Sequence, residues 1–504
     1  MPIPIIDIFA GPGGLGEGFS LIKDQAKKPF FNIALSIEKT PVAYRTLRLR
    51  SVFRQLRETH YVEHYYRFVR GEISETRFRE IPAVEIAFEN ASREARCLEL
   101  GKVDNLEVDN EIRAALKNSK NWVLIGGPPC QAYSLAGRSR RAKDENFEAD
   151  EKHFLYREYL RIIKEHKPTI FVMENVKGML SSKHSGSRIF DRIINDLSRP
   201  SHDLEYEIRS FIKNGDQNSL DPYDYVIESE NYGIPQARHR VILLGVRKGK
   251  NPLPAHDLLQ SVINKSTVGE AIGSLPKIRS RLSKDDSIEN WRSVVKNASN
   301  FLSTAKLHQT KEVMLSRSRD AIYASTGNPF IPHKLPKAST SLQEWLIDKN
   351  LGGICQHEAR SHMPSDLQRY MFASSYAVAN ACSPRLQDFP PALLPNHVNV
   401  LDIDSGRSLP FNDRFRVQRR DIPATTVVAH IAKDGHYYIH YDPSQCRSLT
   451  VREVARLQTF PDNYFFMGNR TEQYTQIGNA VPPLLAHKLG AVVKNLLIKQ
   501  ASLD

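Results

Sequence analysis

The opening run, Ile3 to Phe9, is apolar and rich in branched residues, and it is followed at once by AGPGGLGEGF. Such a run reads as a buried strand, and the glycines let the chain turn sharply and bring its backbone close to a ligand. A helix then continues through Leu21, and a second apolar strand, FNIALSIE, ends at Glu38. Strand, tight turn, helix and strand make the first βαβ unit of a doubly wound α/β sheet, a fold that binds ligands at the carboxyl ends of its strands. The turn lacks the Lys-Ser/Thr pair of a phosphate-binding loop. It points instead to a nucleoside-type ligand, with Glu38 placed to accept hydrogen bonds from ribose hydroxyls.

The same alternation resumes further on. WVLIGG reads as a buried strand, HFLYREYLRIIKEH as an amphipathic helix, PTIFVMEN as the next strand and SRIFDRIINDL as another helix. YDYVIESENYGIP and HRVILLGVR then read as a closing β pair. Residues 44 to 118 break the pattern with a helical stretch crowded with arginine and tyrosine. That insert reads equally as a solvated basic face or as a phosphate-tracking surface. From Lys248 to about Val417 no steady alternation holds, and a last helical region runs from LTVREVARLQTF through VPPLLAHKLGAVVKNLLIKQ.

Three further motifs carry chemistry. GGPPCQAYSLAGR places Cys130 in the loop after a buried strand, with two prolines fixing the approach. A lone cysteine is usually a small buried hydrophobe, but a thiol at a strand's carboxyl end can ionise and act as a nucleophile. MENV puts Glu174 on the same rim; elsewhere a glutamate would be a surface or capping group, while a desolvated carboxyl group here can donate to a ring nitrogen. QARHR opens the strand VILLGVR, and alternation sets Arg238 and Arg240 on one side with His239 opposite. Arginines so placed can bind a base oxygen or a phosphate.

The net charge of +13 and the pI near 9.3 favour a polyanionic partner. Five scattered cysteines form no C-x-x-C pair, and Cys355-x-His357 has no second pair at ligand spacing, so neither a disulfide framework nor a metal site is expected. No signal-like start and no membrane-length apolar stretch is recognised, which reads as a cytoplasmic protein.

Together the blocks DIFAGPGGLGEGF, ALSIE, GGPPCQAYS, MENV, NYGIPQARHRVILLGVR, RSLTVREVARLQTFPD and QIGNAVPP, in this order, resemble the bacterial DNA cytosine-5 methyltransferases. The resemblance implies a Rossmann-like mixed sheet with one antiparallel strand and helices on both faces, plus a smaller, irregular target recognition domain. It implies S-adenosylmethionine as cofactor, held by Phe9, Ala10, Gly11, Gly13, Gly14, Leu15, Glu38, Pro129, Leu155 and Asn479. The acidic contact to the adenine amino group falls on Glu99, with Asp104 as second candidate. Cys130 becomes the nucleophile toward carbon 6 of a flipped cytosine, Glu174 the N3 partner, Arg240 the contact to the exocyclic oxygen and Arg238 a loop support. Gln131, Ser134 and Arg138 fall in the DNA-contacting loop, and RFRVQRRDIPATTV contributes Arg416 and Arg419 near the DNA backbone.

The implied domains are residues 1–267 for catalysis and cofactor, 268–440 for target recognition, and 441–504 as a segment returning to complete the catalytic domain. The partner is double-stranded DNA, bound by a monomer, and any cognate restriction or defence proteins are separate chains. A tRNA cytosine methyltransferase of the same superfamily is the nearest rival, disfavoured by the long recognition region. A catalytically dead DNA-binding regulator would have lost Cys130 or the glycines, and a nicotinamide oxidoreductase explains the glycine turn but none of the later blocks.

Overall fold

The computed structural model describes residues 2–129, 155–181, 183–184, 187–302, 307–395 and 412–502. These form two compact units: residues 1–62, 76–264 and 480–504 in the first, and 63–75 with 265–479 in the second.

The first unit is built on an eight-stranded sheet: β1 (Ile3–Ile8), β2 (Phe31–Glu38), β3 (Ala95–Cys97), β4 (Val123–Gly126), β5 (Ile170–Val176), β6 (Tyr206–Arg209), β7 (Val226–Glu228) and β8 (His239–Arg247). The order is β3-β2-β1-β4-β5-β8-β6, with β7 also paired to β8. The five strands from β3 to β5 run parallel, and β8 runs antiparallel to β5, β6 and β7. This is the mixed α/β sheet expected, with β6 a strand that sequence reading passed over.

Alternation divides the side chains between two cores, because successive residues of a strand face opposite ways. Ile6, Ile8, Leu35, Ile37, Leu124, Phe171 and Met173 pack on one face with the helices Asn105–Leu116, Leu155–His166 and Ile189–Ser198. Ile5, Ile33, Val123, Ile125, Val172, Ile242 and Leu244 face the other, under α1 (Gly14–Ser20) and the C-terminal helix Pro483–Ala501. The stretch Arg470–Ala501 matches a membrane span in length and apolarity more closely than expected, with a mean hydropathy of 1.2 over its best window. Leu485, Leu489, Val493 and Leu496 spend that apolarity on the sheet.

Glycine makes this docking possible. A Cβ at Gly14 would stand 2.1 Å from Val481 O, and one at Gly18 would stand 2.4 Å from both Pro483 O and His487 N. The tie between α1 and α2 (Pro41–Leu56) is electrostatic: Arg50 grips Glu17 through Nε at 2.9 Å, with both side chains almost wholly buried.

The second unit holds the antiparallel pair Gly327–Pro332 and Gly353–Glu358 beside a helical cluster packed around Trp291, Tyr370, Phe372, Phe389 and Phe415. Among the described residues, Arg447, Arg452 and Arg456 are the most deeply buried of its arginines, each at most 1% exposed. Arg447 makes a two-pronged bond to Glu453 at 2.6 Å per prong, and Arg456 does the same to Asp462 at 2.8 and 2.7 Å. Arg452 donates to the carbonyls of Cys355, Pro461 and Tyr464. Buried charge persists only when paired and hydrogen-bonded in this way. These contacts anchor residues 447–464 among their neighbours in the second unit, and the boundary between the two compact units falls between Asn479 and Ala480.

Candidate active site

The strand order reverses between β1 and β4, so the carboxyl ends of these strands open onto one crevice, where doubly wound sheets bind ligands. On one side lies the glycine turn. Phe9 leaves β1 at φ +55°, and Gly11 and Gly13 follow at +57° and +91°. Ala10 N–H donates to Ile37 O at 3.1 Å and Gly13 N–H to Ala10 O at 2.9 Å. Glu38 completes the tie to β2: its Oε2 accepts Gly11 N–H at 2.9 Å and its Oε1 accepts Thr40 N–H at 2.8 Å. A carboxylate oxygen with one donor has capacity for another. Among the described residues a Cβ at Gly11 would meet nothing within 4 Å, so the turn borders space they leave open.

Other residues of the expected pocket are sorted by the fold. Leu15 turns into the core beside Ile5 and Ile33, and Gly14 faces Val481. Glu99 follows β3 and pairs with Lys39 and Lys102, each at 3.4 Å. Asp104 caps the helix that follows, accepting Leu106 N–H at 2.9 Å. Leu155 starts its helix close to Gly101, 3.6 Å from where a Cβ would sit, which brings it to the loop that carries Glu99.

Asp7 was not anticipated. It lies fully buried in β1, and among the described residues neither carboxylate oxygen has a hydrogen-bond partner. A Cβ at Gly16 would stand 3.0 Å from its Oδ2. Burial pushes its carboxyl up to about 8; the nearby backbone N–H of Gly16, short of full hydrogen-bond geometry, opposes the shift, and the charge of Glu38 adds to it. A single acid inside an otherwise apolar strand was the available signal.

On the other side of the crevice stands the carboxylate expected to meet the base. Glu174 Oε1 is 2.9 Å from Arg240 Nε, and both side chains are mostly buried. Its Oε2 lies 2.9 Å from where a Cβ of Gly127 would be, directly against the chain leaving β4. Asn175 Nδ2 donates to Pro128 O at 3.4 Å, a second tie to that exit. The half-buried Pro129 is the last described residue before Cys130. Arg238 lies in a buried turn ahead of β8, its N–H donating to Gln236 O and Ser229 Oγ, each at 3.0 Å. His239 turns away from Arg240, toward Glu230.

With this geometry in view, a family model described as C-5 cytosine-specific DNA methylase matches residues 93–495. The chain belongs to that family. It is 31% identical over 98% of its length to the type II methyltransferase M.Bpa9945I of Bacillus paralicheniformis, of which it covers 99%. It is 25% identical over 74% of its length to the DNA (cytosine-5-)-methyltransferase M.ApeKI of Aeropyrum pernix, of which 81% is covered. A solved E. coli protein described as a DNA modification methyltransferase encoded within a prophage superposes with a TM-score of 0.55 at 20% identity. That match spans 98% of this chain and 99% of the other, and it shows a shared fold. By class the enzyme is a DNA (cytosine-5-)-methyltransferase, with the fold of S-adenosylmethionine-dependent methyltransferases.

Cys130, Gln131, Ser134 and Arg138 of the methylase lie outside the described residues. Asn479 ends the helix Arg470–Asn479 in the second unit with an exposed side chain. Arg416 is paired with Asp413, and Arg419 with Asp421 at 3.1 Å through Nε. Arg419 and Arg420, with Lys277 and Tyr441, line a cleft of about 450 Å³ in that unit.

The insert also resolves differently from its sequence reading. It contains the edge strand β3, and its arginines are largely committed to carboxylates: Arg54 to Glu94, Arg70 to Glu63, Arg79 to Glu85 and Arg96 to Glu111. Cys355 and His357 are likewise engaged, the thiol with Val69 O and the imidazole with Thr450 Oγ1 and Pro276 O.

Proposed function

We propose that this methylase transfers a methyl group from S-adenosylmethionine to carbon 5 of a cytosine in a specific sequence of double-stranded DNA, with Cys130 as nucleophile. The observation that carries the reading is the Glu174–Arg240 pair set against Gly127, three residues before Cys130. The residues fit the cofactor: open space over Gly11 admits a nucleoside, and the Glu38 carboxylate beside it suits the ribose hydroxyls. Glu99, or Asp104 after it, is assigned the adenine edge, beside Leu155. The bound cofactor supplies an electrophilic sulfonium methyl group.

The protein's own part begins with a cytosine rotated out of the stack, since its ring atoms are unreachable within the duplex. The Cys130 thiolate forms a bond to carbon 6. Glu174 holds N3 and Arg240 the exocyclic oxygen, so the electron pair displaced from the 5,6 double bond builds up at carbon 5. The carbon 5 electron pair would bond the methyl group as its bond to the sulfonium sulfur breaks, leaving a neutral thioether. Carbon 5 then gives its proton to water, and the freed electron pair re-forms the 5,6 double bond and expels the Cys130 thiolate from carbon 6. Arg238 supports the turn that presents Arg240.

The second unit is assigned target recognition, with Arg416 and Arg419 near the DNA backbone. As the names of the type II relatives suggest, the methylase marks host DNA in the cytoplasm beside a separately encoded restriction or defence protein, acting as a monomer. The test is bisulfite sequencing of DNA from a methylation-free host expressing the protein, beside a Cys130→Ala control. Methylated cytosines in one short context, absent from the control, are expected. Equal methylation in the control removes Cys130 from the mechanism, and none from well-folded protein removes duplex DNA as sufficient substrate.

A further inference from the structure

A second cluster of ligand-type side chains lies on the far side of β8 from Glu174. Glu228 and His239 stand directly opposite one another on the antiparallel β7–β8 ladder, so both side chains leave the same face. Glu230 reaches the same point from the turn Ser229–Tyr232 that follows β7. His239 Nε2 is 3.0 Å from Glu230 Oε1, and Nδ1 is 4.0 Å from Glu228 Oε1. One ligand atom from each of the three lies within 4.8 Å of the others.

Glu230 distinguishes this cluster from an ordinary surface grouping. Its side chain is only 10% exposed, and among the described residues its Oε2 has no hydrogen-bond donor. A buried carboxylate oxygen without a donor is a costly arrangement that a cation relieves. Glu228 and His239 remain partly exposed, which leaves an approach for an ion and room for water ligands.

We propose that Glu228, Glu230 and His239 form a binding site for a first-row divalent cation, with zinc as its probe. One imidazole and two carboxylates suit such an ion better than calcium or magnesium, which favour all-oxygen shells. Zinc bonds of roughly 2.0–2.2 Å set tetrahedral ligand atoms about 3.4 Å apart. Glu230 now faces Nε2 and Glu228 faces Nδ1, so gathering the three ligand atoms, which lie within 4.8 Å of one another, around one ring nitrogen at that spacing takes side-chain shifts of up to about 1.4 Å. Asn231 Nδ2 already steadies its other oxygen at 3.2 Å. The bound ion clamps β8 to the preceding turn at the residue before Arg240. Arg240 Nη1 donates to His239 O at 2.8 Å, so the clamp braces the arginine that faces Glu174. His239 is therefore a positioning residue.

The rival account is a plain His239–Glu230 hydrogen bond beside a solvated Glu228. To separate the two, full-length protein is stripped with chelator and titrated with Zn²⁺, with Co²⁺ as a spectroscopic probe. The wild type is expected to bind one more equivalent of Zn²⁺ than His239→Ala, with cobalt d–d absorption that the variant lacks. Glu230→Gln and the more exposed Glu228→Gln are expected to bind at least about tenfold more weakly. Because all variants keep the same cysteines, the difference between them reads this site alone. Equal Zn²⁺ content and equal cobalt spectra in wild type and His239→Ala, both folded by circular dichroism, overturn the proposal.

Discussion

Glu174 and Arg240 meet diagonally across the β5–β8 ladder, where Glu174 pairs in register with Ile242, and Arg240 with Val176. The pair therefore draws its geometry from two strands of the central sheet and not from a loop. A side chain on a strand keeps its direction when the ligand arrives, which favours a group that must meet developing charge. Arg240→Ala and Glu174→Gln are each expected to lower kcat for methyl transfer about 10²–10³-fold, with little change in cofactor affinity. Single-turnover assays beside cofactor titration check this, and normal turnover in either variant removes that residue from the reacting site.

Glu38 is the residue assigned to the cofactor side. Glu38→Ala removes the acceptor for Gly11 N–H and Thr40 N–H together with the assigned ribose contact. Hydrogen bonds to a charged group are worth about 1.5–3 kcal/mol each, so calorimetry is expected to show cofactor affinity weakened about 10–100-fold. An unchanged dissociation constant in folded protein would contradict that role.

Gly18→Ala tests the helix contact. The added methyl group would stand 2.4 Å from Pro483 O and 2.5 Å from Ala486 Cβ, where backbone leaves little room to yield. Overpacking of this kind costs about 1–3 kcal/mol, read as a lower midpoint in thermal unfolding. At Gly11 the same change meets open space, and its cost comes from the φ of +57°.

Asp7 gives stability a distinct pH dependence. Its folded value near 8 is raised above the ordinary 3.8, so between these limits the folded state holds a proton that the unfolded chain has released. Its contribution is therefore most favourable below about pH 4 and declines as pH rises toward 8, by up to ~1.4 kcal/mol per pH unit. Asp7→Asn removes this slope. The stability of the variant relative to wild type, followed by denaturant unfolding, is expected to climb from pH 4 to 8 and then level off. A pH-independent difference would show that Asp7 is ionised throughout.

Glu453→Gln probes the second unit. The change leaves Arg447, 1% exposed, without its counter-charge. Uncompensated buried charge costs about 3–5 kcal/mol, so a large loss of stability is expected. An effect below 1 kcal/mol would show that water reaches the site.

The sheet was legible in the sequence because its central strands are buried on both faces and read as near-continuous apolar runs between glycines and prolines, as in Val123–Gly126. The Glu174–Arg240 rim was legible for a related reason, since both residues stand on such strands. Arg447, Arg452 and Arg456 were not, because nothing local distinguishes a buried arginine from a surface one before its distant partners are known. For the same reason the boundary expected at 441 does not coincide with the unit boundary at Ala480, and nothing local to the insert showed that glutamates up to 40 positions away pair with several of its arginines. Asp7 was hidden by the motif around it, whose glycines drew the attention.

The seat of Gly14 and Gly18 on residues 481–487 also bears on when the enzyme becomes competent during synthesis. β1 and α1 emerge from the ribosome early, yet the wall that α1 rests against is made only after nearly all the sequence between has been translated. Long-range closure of this kind is slow and late. A chain interrupted before Val481 thus leaves the glycine turn and α1 without the backbone they pack against.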